Sequence, residues 1–391
     1  MLPNFPTKEI VEGKSRILVA TLEPSQESAE KLRSKAAVFY NPIQVTNRDT
    51  AILAVKALYT KLNHSLKICE PMCGTGVRGV RLACEAEEVS NIVMGDLSPS
   101  AIQLARLNAG RNNVSDKIKL RLLDANLLLS LHGYPGGRFD YIDIDPYGSP
   151  VTFLDSATRS LSNNGLLALT ATDMAPLCGV NPRACLRKYG GKPLHNEFCH
   201  ETALRLLSAA TIKHAAVHEA AASPVFSYYA DHYVRAYFNL ESGSRRVNER
   251  LSNIGYVKYC PRCLTRFTSS DCKTENCEIC DGILIIGGPM WLGELSEPDF
   301  IEKMLEASKP SDLTESRATA IIKKVKNELG FPVSFYDVDK LCSLAKVKSI
   351  PTLEFIEKVE ETGHRVTETH YHNRAIKTDA TALELKKILG G

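Results

Sequence analysis

Leu66-Lys67-Ile68-Cys69-Glu70-Pro71-Met72-Cys73-Gly74-Thr75-Gly76-Val77-Arg78-Gly79 passes from a short apolar strand through a glycine-rich turn into a helix predicted to run through Glu85. Gly74, Gly76 and Gly79 stand at GxGxxG spacing, where glycines permit a tight turn and a close approach of backbone to ligand. Roughly twenty residues further on, Ile92-Val93-Met94-Gly95-Asp96 reads as a second strand ending in a carboxylate suited to ribose hydroxyls. The spacing by itself admits two adenosine-bearing ligands, a nicotinamide dinucleotide and S-adenosylmethionine.

Acidic strand ends favour the second. Glu70 would repel a pyrophosphate but attract a sulfonium cation. A third strand, Ile118–Leu123, ends in Asp124-Ala125, where an adenine amino group needs an acceptor. A fourth, Arg138–Ile142, runs into Asp143-Ile144-Asp145-Pro146-Tyr147-Gly148-Ser149-Pro150. Any one of these carboxylates could simply cap the following helix. Four in succession line the crevice where doubly wound sheets bind ligands. A fifth strand, Leu166–Asp173, and an alternating strand pair across Ser227–Phe238 complete an α/β sandwich with a closing antiparallel element.

In Asp145-Pro146-Tyr147 the carboxylate can accept from a planar amine, and Tyr147 offers a flat face to a base. A capped structural turn is the competing reading of that stretch by itself.

The chain has 391 residues and a formal net charge of +3, so two or three domains are expected and charge alone does not argue for nucleic acid. No apolar run suits a membrane span and no leader-like start is present, which points to a cytoplasmic protein. Of twelve cysteines, five crowd into residues 260–280. Cys260-Pro261-Arg262-Cys263 and Cys277-Glu278-Ile279-Cys280 form a CxxC…CxxC pair, read as a structural tetrahedral zinc site against redox thiols or bridges, with Cys272 a candidate replacement ligand. Helices are predicted over 299–308, 314–329, 337–345 and 351–361, then a strand pair near Gly363–Glu368 and Ala375–Thr378. Helices followed by a two-stranded wing suggest a winged-helix-type module, against a plain packing module. Arg183, Arg187, Lys188 and Lys192 form a basic segment suited to phosphate or to solvent. His195, His200 and His232 are read as structural or RNA-facing, and Cys178, Cys185 and Cys199 show no base partner for nucleophilic catalysis.

Phe39-Tyr40-Asn41-Pro42 with Asn47-Arg48-Asp49, Asp143–Pro150, Thr170–Gly179 with Pro182–Gly190, Asp231-His232-Tyr233 and Ile376-Lys377-Thr378 stand out as further motifs. In these stretches the chain resembles the tRNA guanine-N2 dimethyltransferases that act on the guanosine at position 26, in archaeal form. The donor loop Met72–Gly76 departs from the pattern by an extra glycine and a cysteine. The resemblance implies a class I, Rossmann-like S-adenosylmethionine-dependent methyltransferase domain over 1–241. A smaller α+β RNA-binding part would follow over 242–391, with a zinc-knuckle insertion at 257–284 and the winged-helix-like module at 299–391. It implies that Arg48, Arg78, Asp96, Asp124 and Ala125 contact the donor, that Asp145 and Pro146 face the guanine N2, and that Phe39 packs near the target base. Zn²⁺ would be held by Cys260, Cys263, Cys277 and Cys280. A dinucleotide-dependent oxidoreductase would explain the glycines and Asp96 but leave Asp145-Pro146-Tyr147 and the cysteines idle. A non-catalytic RNA-binding protein would leave the four strand-end carboxylates unexplained.

Overall fold

Seven strands form the central sheet of the computed structural model, which describes residues 3–21, 37–309 and 311–390. In chain order they are β1 (Leu66–Glu70), β2 (Val89–Asp96), β3 (Ile118–Leu122), β4 (Phe139–Ile144), β5 (Leu161–Ala171), β6 (Ala220–Ala230) and β7 (Tyr233–Ser242). Their spatial order is β3-β2-β1-β4-β5-β7-β6, parallel through β5, with β7 antiparallel to both β5 and β6. Helices cover both faces, which is why β4 is buried at every residue, Asp140 and Asp143 included. Alternate residues serve opposite faces. Ile142, Leu167 and Leu169 pack with Leu128, Leu154 and Leu204. Tyr141, Leu166 and Ala168 pack with Ile52, Leu53 and Val80 on the other face.

The donor-type loop has the backbone its glycines allow. Gly74 and Gly76 take φ of 52° and 74°, where an L side chain is strained. Gly79 serves close packing instead. A Cβ there would lie 2.4 Å from Met94 Sδ and 3.0 Å from Glu70 Oε2. The expected strands are present and the helix after the loop spans Val77–Glu85.

The part after residue 241 does not stand clear of the sheet. Helices Pro298–Ser308 and Arg317–Asn327 contribute Phe300, Ile301, Met304, Ile322 and Val325 to the apolar cluster that contains Ile52 and Leu53 of helix Val45–Leu62. A three-stranded sheet, Arg266–Ser269, Ile254–Tyr259 and Ile285–Trp291, packs through its last strand on helix Cys199–Ala216. The expected pair Val366–Glu368 and Ala375–Thr378 gains a third short strand, Tyr336–Asp337, and a final helix, Ala382–Ile388, follows. Glu201 ties these parts together. It accepts from Arg205 at 2.7 Å, from the Ser334 amide at 2.7 Å and from Lys377 at 2.7 Å, all buried. Among the described residues no helix is long and apolar enough to cross a membrane.

Candidate active site

Near the start of helix Val45–Leu62, buried Asn47, Arg48, Asp49 and Thr50 follow one another, and helical geometry turns each by about 100° from the last. Each therefore meets a different partner. Asn47 accepts from Arg78 at 2.8 Å and donates to Thr170 Oγ1 at 3.1 Å. Arg48 donates to Glu12 at 2.5 and 2.7 Å. Asp49 pairs with Arg81 at 2.8 Å. Thr50 meets the hydroxyls of Tyr228 and Tyr237 at 3.0 and 2.9 Å.

Arg78 is the hub. Its Nη1 donates to Asp143 Oδ2 at 2.8 Å and to Asn47, its Nη2 donates to Asp145 Oδ2, and its Nε lies 3.4 Å from Glu70 Oε1. Asp143 is fully buried and also takes Arg235 at 2.6 and 2.9 Å and the Tyr141 hydroxyl at 2.5 Å. Burial alone would raise its pKa. Arg235 and Arg78 overcome that and hold it at about 2. This corrects the expectation that Asp143 faces the crevice: it lies beneath, as the anchor of the arginine that carries Asp145. Glu70 goes the other way. Burial outweighs Arg78 and the Gly79 amide, Asp143 and Asp145 add repulsion, and its carboxyl rises to about 8.

Above this layer opens a cavity of about 820 Å³, lined among others by Phe39, Arg48, Glu70, Arg78, Asp145 and Pro146. The size suits a nucleoside-sized group. Phe39 and Tyr147 meet edge to face at its wall, ring centroids 4.7 Å apart, with Tyr147 69% exposed. The Asp145–Pro150 turn is pinned to the end of β5, since Gly148 N donates to Thr172 Oγ1 at 2.7 Å and Thr172 N to Gly148 O at 3.0 Å. Arg48 reaches the same wall with Nε and Nη2 engaged by Glu12 and Asn41, its Nη1 having no partner among the described residues.

Of the residues expected from sequence, Phe39, Arg48, Arg78, Asp145 and Pro146 are brought together, whereas Asp96, Asp124 and Ala125 lie outside the cavity lining. Asp96 instead fixes the glycine loop, accepting from Gly74 N at 2.9 Å, and caps the next turn through Ser98 N at 2.9 Å. Asp124 caps helix Ala125–Ser130, accepting from Leu127 N at 3.1 Å. His232 lines the cavity in the β6–β7 turn, where Arg317 clamps Asp231 at 2.8 and 3.0 Å. Sequence reading missed Glu12, Arg235 and Arg317. Only Arg235 left a local signal, a charge inside the apolar run Tyr233–Phe238.

The cysteine pairs also meet. Sγ atoms of Cys260, Cys263, Cys277 and Cys280 all lie within 4.8 Å of one another, with Cys260–Cys280 at 3.4 Å and Cys263–Cys277 at 3.5 Å. The two turns match. Leu264 N and Asp281 N bond back to Cys260 O and Cys277 O, and Leu264 and Asp281 both take positive φ, 60° and 54°. Cys272 is exposed and outside the cluster.

The pattern that defines the N2,N2-dimethylguanosine tRNA methyltransferase family matches residues 13–390. The tRNA (guanine(26)-N(2))-dimethyltransferase of Methanothermobacter thermautotrophicus is 36% identical over 92% of this chain and 94% of its own. That of Methanosphaera stadtmanae is 34% identical over 92% of each. The structure of Trm1 from Pyrococcus horikoshii in complex with S-adenosyl-L-methionine superposes with a TM-score of 0.83 at 31% identity, covering 97% of this chain and 99% of that one. With the donor-type loop, the strand-end carboxylates and the full-length match in agreement, the chain belongs to the N2,N2-dimethylguanosine tRNA methyltransferase family.

Proposed function

We propose that this protein transfers methyl groups from S-adenosylmethionine to the exocyclic N2 of guanosine 26 in tRNA, through the monomethyl to the dimethyl product. The observation that carries the reading is Asp145, a carboxylate held by Arg78 at the wall of a cavity with two aromatic rings. The donor, when bound, supplies an electrophilic methyl on a sulfonium cation. Asp145 performs the acceptor chemistry. Arg78 occupies its Oδ2, leaving Oδ1 to accept an N–H of the amine. That bond draws the nitrogen lone pair out of ring conjugation, and the carboxylate can then take the proton as positive charge develops. Pro146 has no N–H to compete for the base, and Phe39 and Tyr147 give a flipped guanine flat surfaces. On the donor side, Arg48 Nη1, Arg78 and the loop fixed by Asp96 would hold the donor. Asp124 and Ala125 would be reached by its adenine beyond the loop.

Incubating the full-length protein with labelled S-adenosylmethionine and unmodified tRNA, and mapping the product by mass spectrometry, tests the reading. Label on N2 of guanosine 26 is expected, and no transfer overturns it. The Aquifex aeolicus relative is named for guanines 26 and 27, so the mapping also decides whether this chain reaches the neighbour.

Glu70 sets the pH response. Neutral up to about 8 in the free cavity, it must ionise to stabilise a cation there, so donor binding releases a proton below that pH. Donor affinity is therefore expected to rise with pH up to about 8, at most about tenfold per unit. Calorimetry from pH 6 to 9 checks this: Glu70→Gln should flatten the rise, and a flat wild-type profile would exclude the coupling.

The four-cysteine cluster is assigned to structural Zn²⁺. Thiolates 2.3 Å from one tetrahedral ion stand about 3.8 Å apart, close to the spacing already present. Four such ligands leave no open position, so the ion would brace residues 257–284 rather than act on substrate. A strong chelator, or Cys263→Ser, is expected to increase proteolysis within 257–284 while donor binding persists. Loss of both together would show that this segment is not a separable unit.

Residues 1–241 would form the catalytic part and 242–391 the tRNA-binding part, with 299–391 as a winged-helix-like grip. Arg183 and Arg187, exposed four apart on helix Pro182–Tyr189, would meet phosphates. Lys188 is already paired with Asp173 at 2.8 Å. As a tRNA-modifying enzyme the protein would act in the cytoplasm.

A further inference from the structure

Three soft donors outside both of these centres converge where the chain leaves β5. Cys178 ends the short helical turn that follows Asp173, and Cys199 and His200 open helix Cys199–Ala216. One ligand atom from each lies within 4.8 Å of the other two; Cys178 is buried, and Cys199 and His200 are half-buried. The His200 ring stacks on Tyr229 with centroids 3.8 Å apart and planes 8° from parallel. Stacking fixes the ring plane and leaves its nitrogens free at the edge, and neither is hydrogen-bonded to a described residue. The Cys178 carbonyl is held by His195 Nδ1 at 2.8 Å, so the backbone that carries the first thiol is itself anchored.

We propose that Cys178, Cys199 and His200 form a second metal site, for a thiophilic divalent cation of the zinc class. Two thiolates at 2.3 Å and an imidazole at about 2.0–2.1 Å from a tetrahedral ion lie roughly 3.5–3.8 Å from one another, so closing the present arrangement needs only side-chain adjustment. The donor set is soft, which disfavours calcium and magnesium. Three protein ligands leave the fourth position to water or an incoming group, unlike the closed four-cysteine cluster. An ion here joins the segment after Thr172, which lines the cavity, to the helix whose Glu201 binds Lys377 near the C-terminus.

The test is Co²⁺ titration of the reduced full-length protein, followed by thiolate charge-transfer absorption. Two equivalents are expected in the wild type. Cys178→Ser and His200→Gln should each remove one and leave the four-sulfur spectrum, and Cys263→Ser should remove the other. A second readout needs no substitution: excess Zn²⁺ should protect Cys178 and Cys199 from alkylation, resolved by peptide mass spectrometry, while exposed Cys272 labels as before. Saturation at one equivalent overturns the site. So does unchanged alkylation of Cys178 and Cys199, or a second equivalent that survives in a Cys178→Ser, Cys199→Ser chain.

Discussion

Asp145→Ala is expected to slow methyl transfer by about 10²–10⁴-fold, the range for a positioned general base, with donor affinity nearly unchanged. The split follows from the geometry. Asp145 projects from the turn beyond β4 into the cavity, whereas Arg78, its anchor, retains Asp143 and Asn47 when Asp145 is removed. Asp145→Asn keeps the shape and a hydrogen-bond acceptor but cannot take the proton, so it should fall nearly as far. Single-turnover rates with labelled donor, beside calorimetric donor affinity, make the check. Wild-type turnover in the alanine variant would remove Asp145 from the chemistry.

Arg235→Met is expected to destabilise the fold by about 3–5 kcal/mol, because it strips a buried carboxylate of its main partner. Arg235 and Asp143 are both fully buried and share two hydrogen bonds, at 2.6 and 2.9 Å. Denaturant unfolding measures the loss, and adding Asp143→Asn should recover part of it, since no unpaired charge then remains. The acid limb gives an independent sign. Asp143 ionises at about 2 in the fold against 3.8 ordinarily, so its stabilisation is complete above that ordinary value and is lost as pH falls towards 2. In Arg235→Met the folded-state pKa rises towards or above the ordinary value, so this loss on acidification should shrink or reverse. An unchanged acid limb together with unchanged stability would show that the pair is not coupled to folding.

The sheet was legible because its signals are local. Leu66–Glu70 is bounded by a proline and glycines whose positive φ or close packing admits little else, and the acidic residues fall where strands end. The cysteine pairs are local too, each turn closing on itself. The centre beneath the cavity was not legible, because its members come from remote segments. Glu12, Arg48 and Arg81 meet across 36 and 69 residues, and nothing in the spacing of one charge announces the other. Asp143, inside β4, and Asp145, in the turn just beyond it, are two apart and look equivalent as letters. They differ in that one side chain points into a layer already filled by Arg78, Arg235 and Tyr141, which only packing reveals. The expected division near residue 241 likewise could not show that Phe300 and Ile322 share an apolar cluster with Ile52.

The antiparallel course of β7 has a consequence for how the molecule is made. Asp143 waits for an arginine 92 residues downstream. At typical translation speeds of about 5–20 residues per second, that interval is on the order of 5–20 seconds after Asp143 itself is added. Until then a nascent chain holding β1 and β4 would have to bury Asp143 against Arg78 alone or leave it hydrated. The methyl-transfer centre is thus a late product of synthesis, and truncation anywhere before β7 leaves a sheet without the charge that closes it.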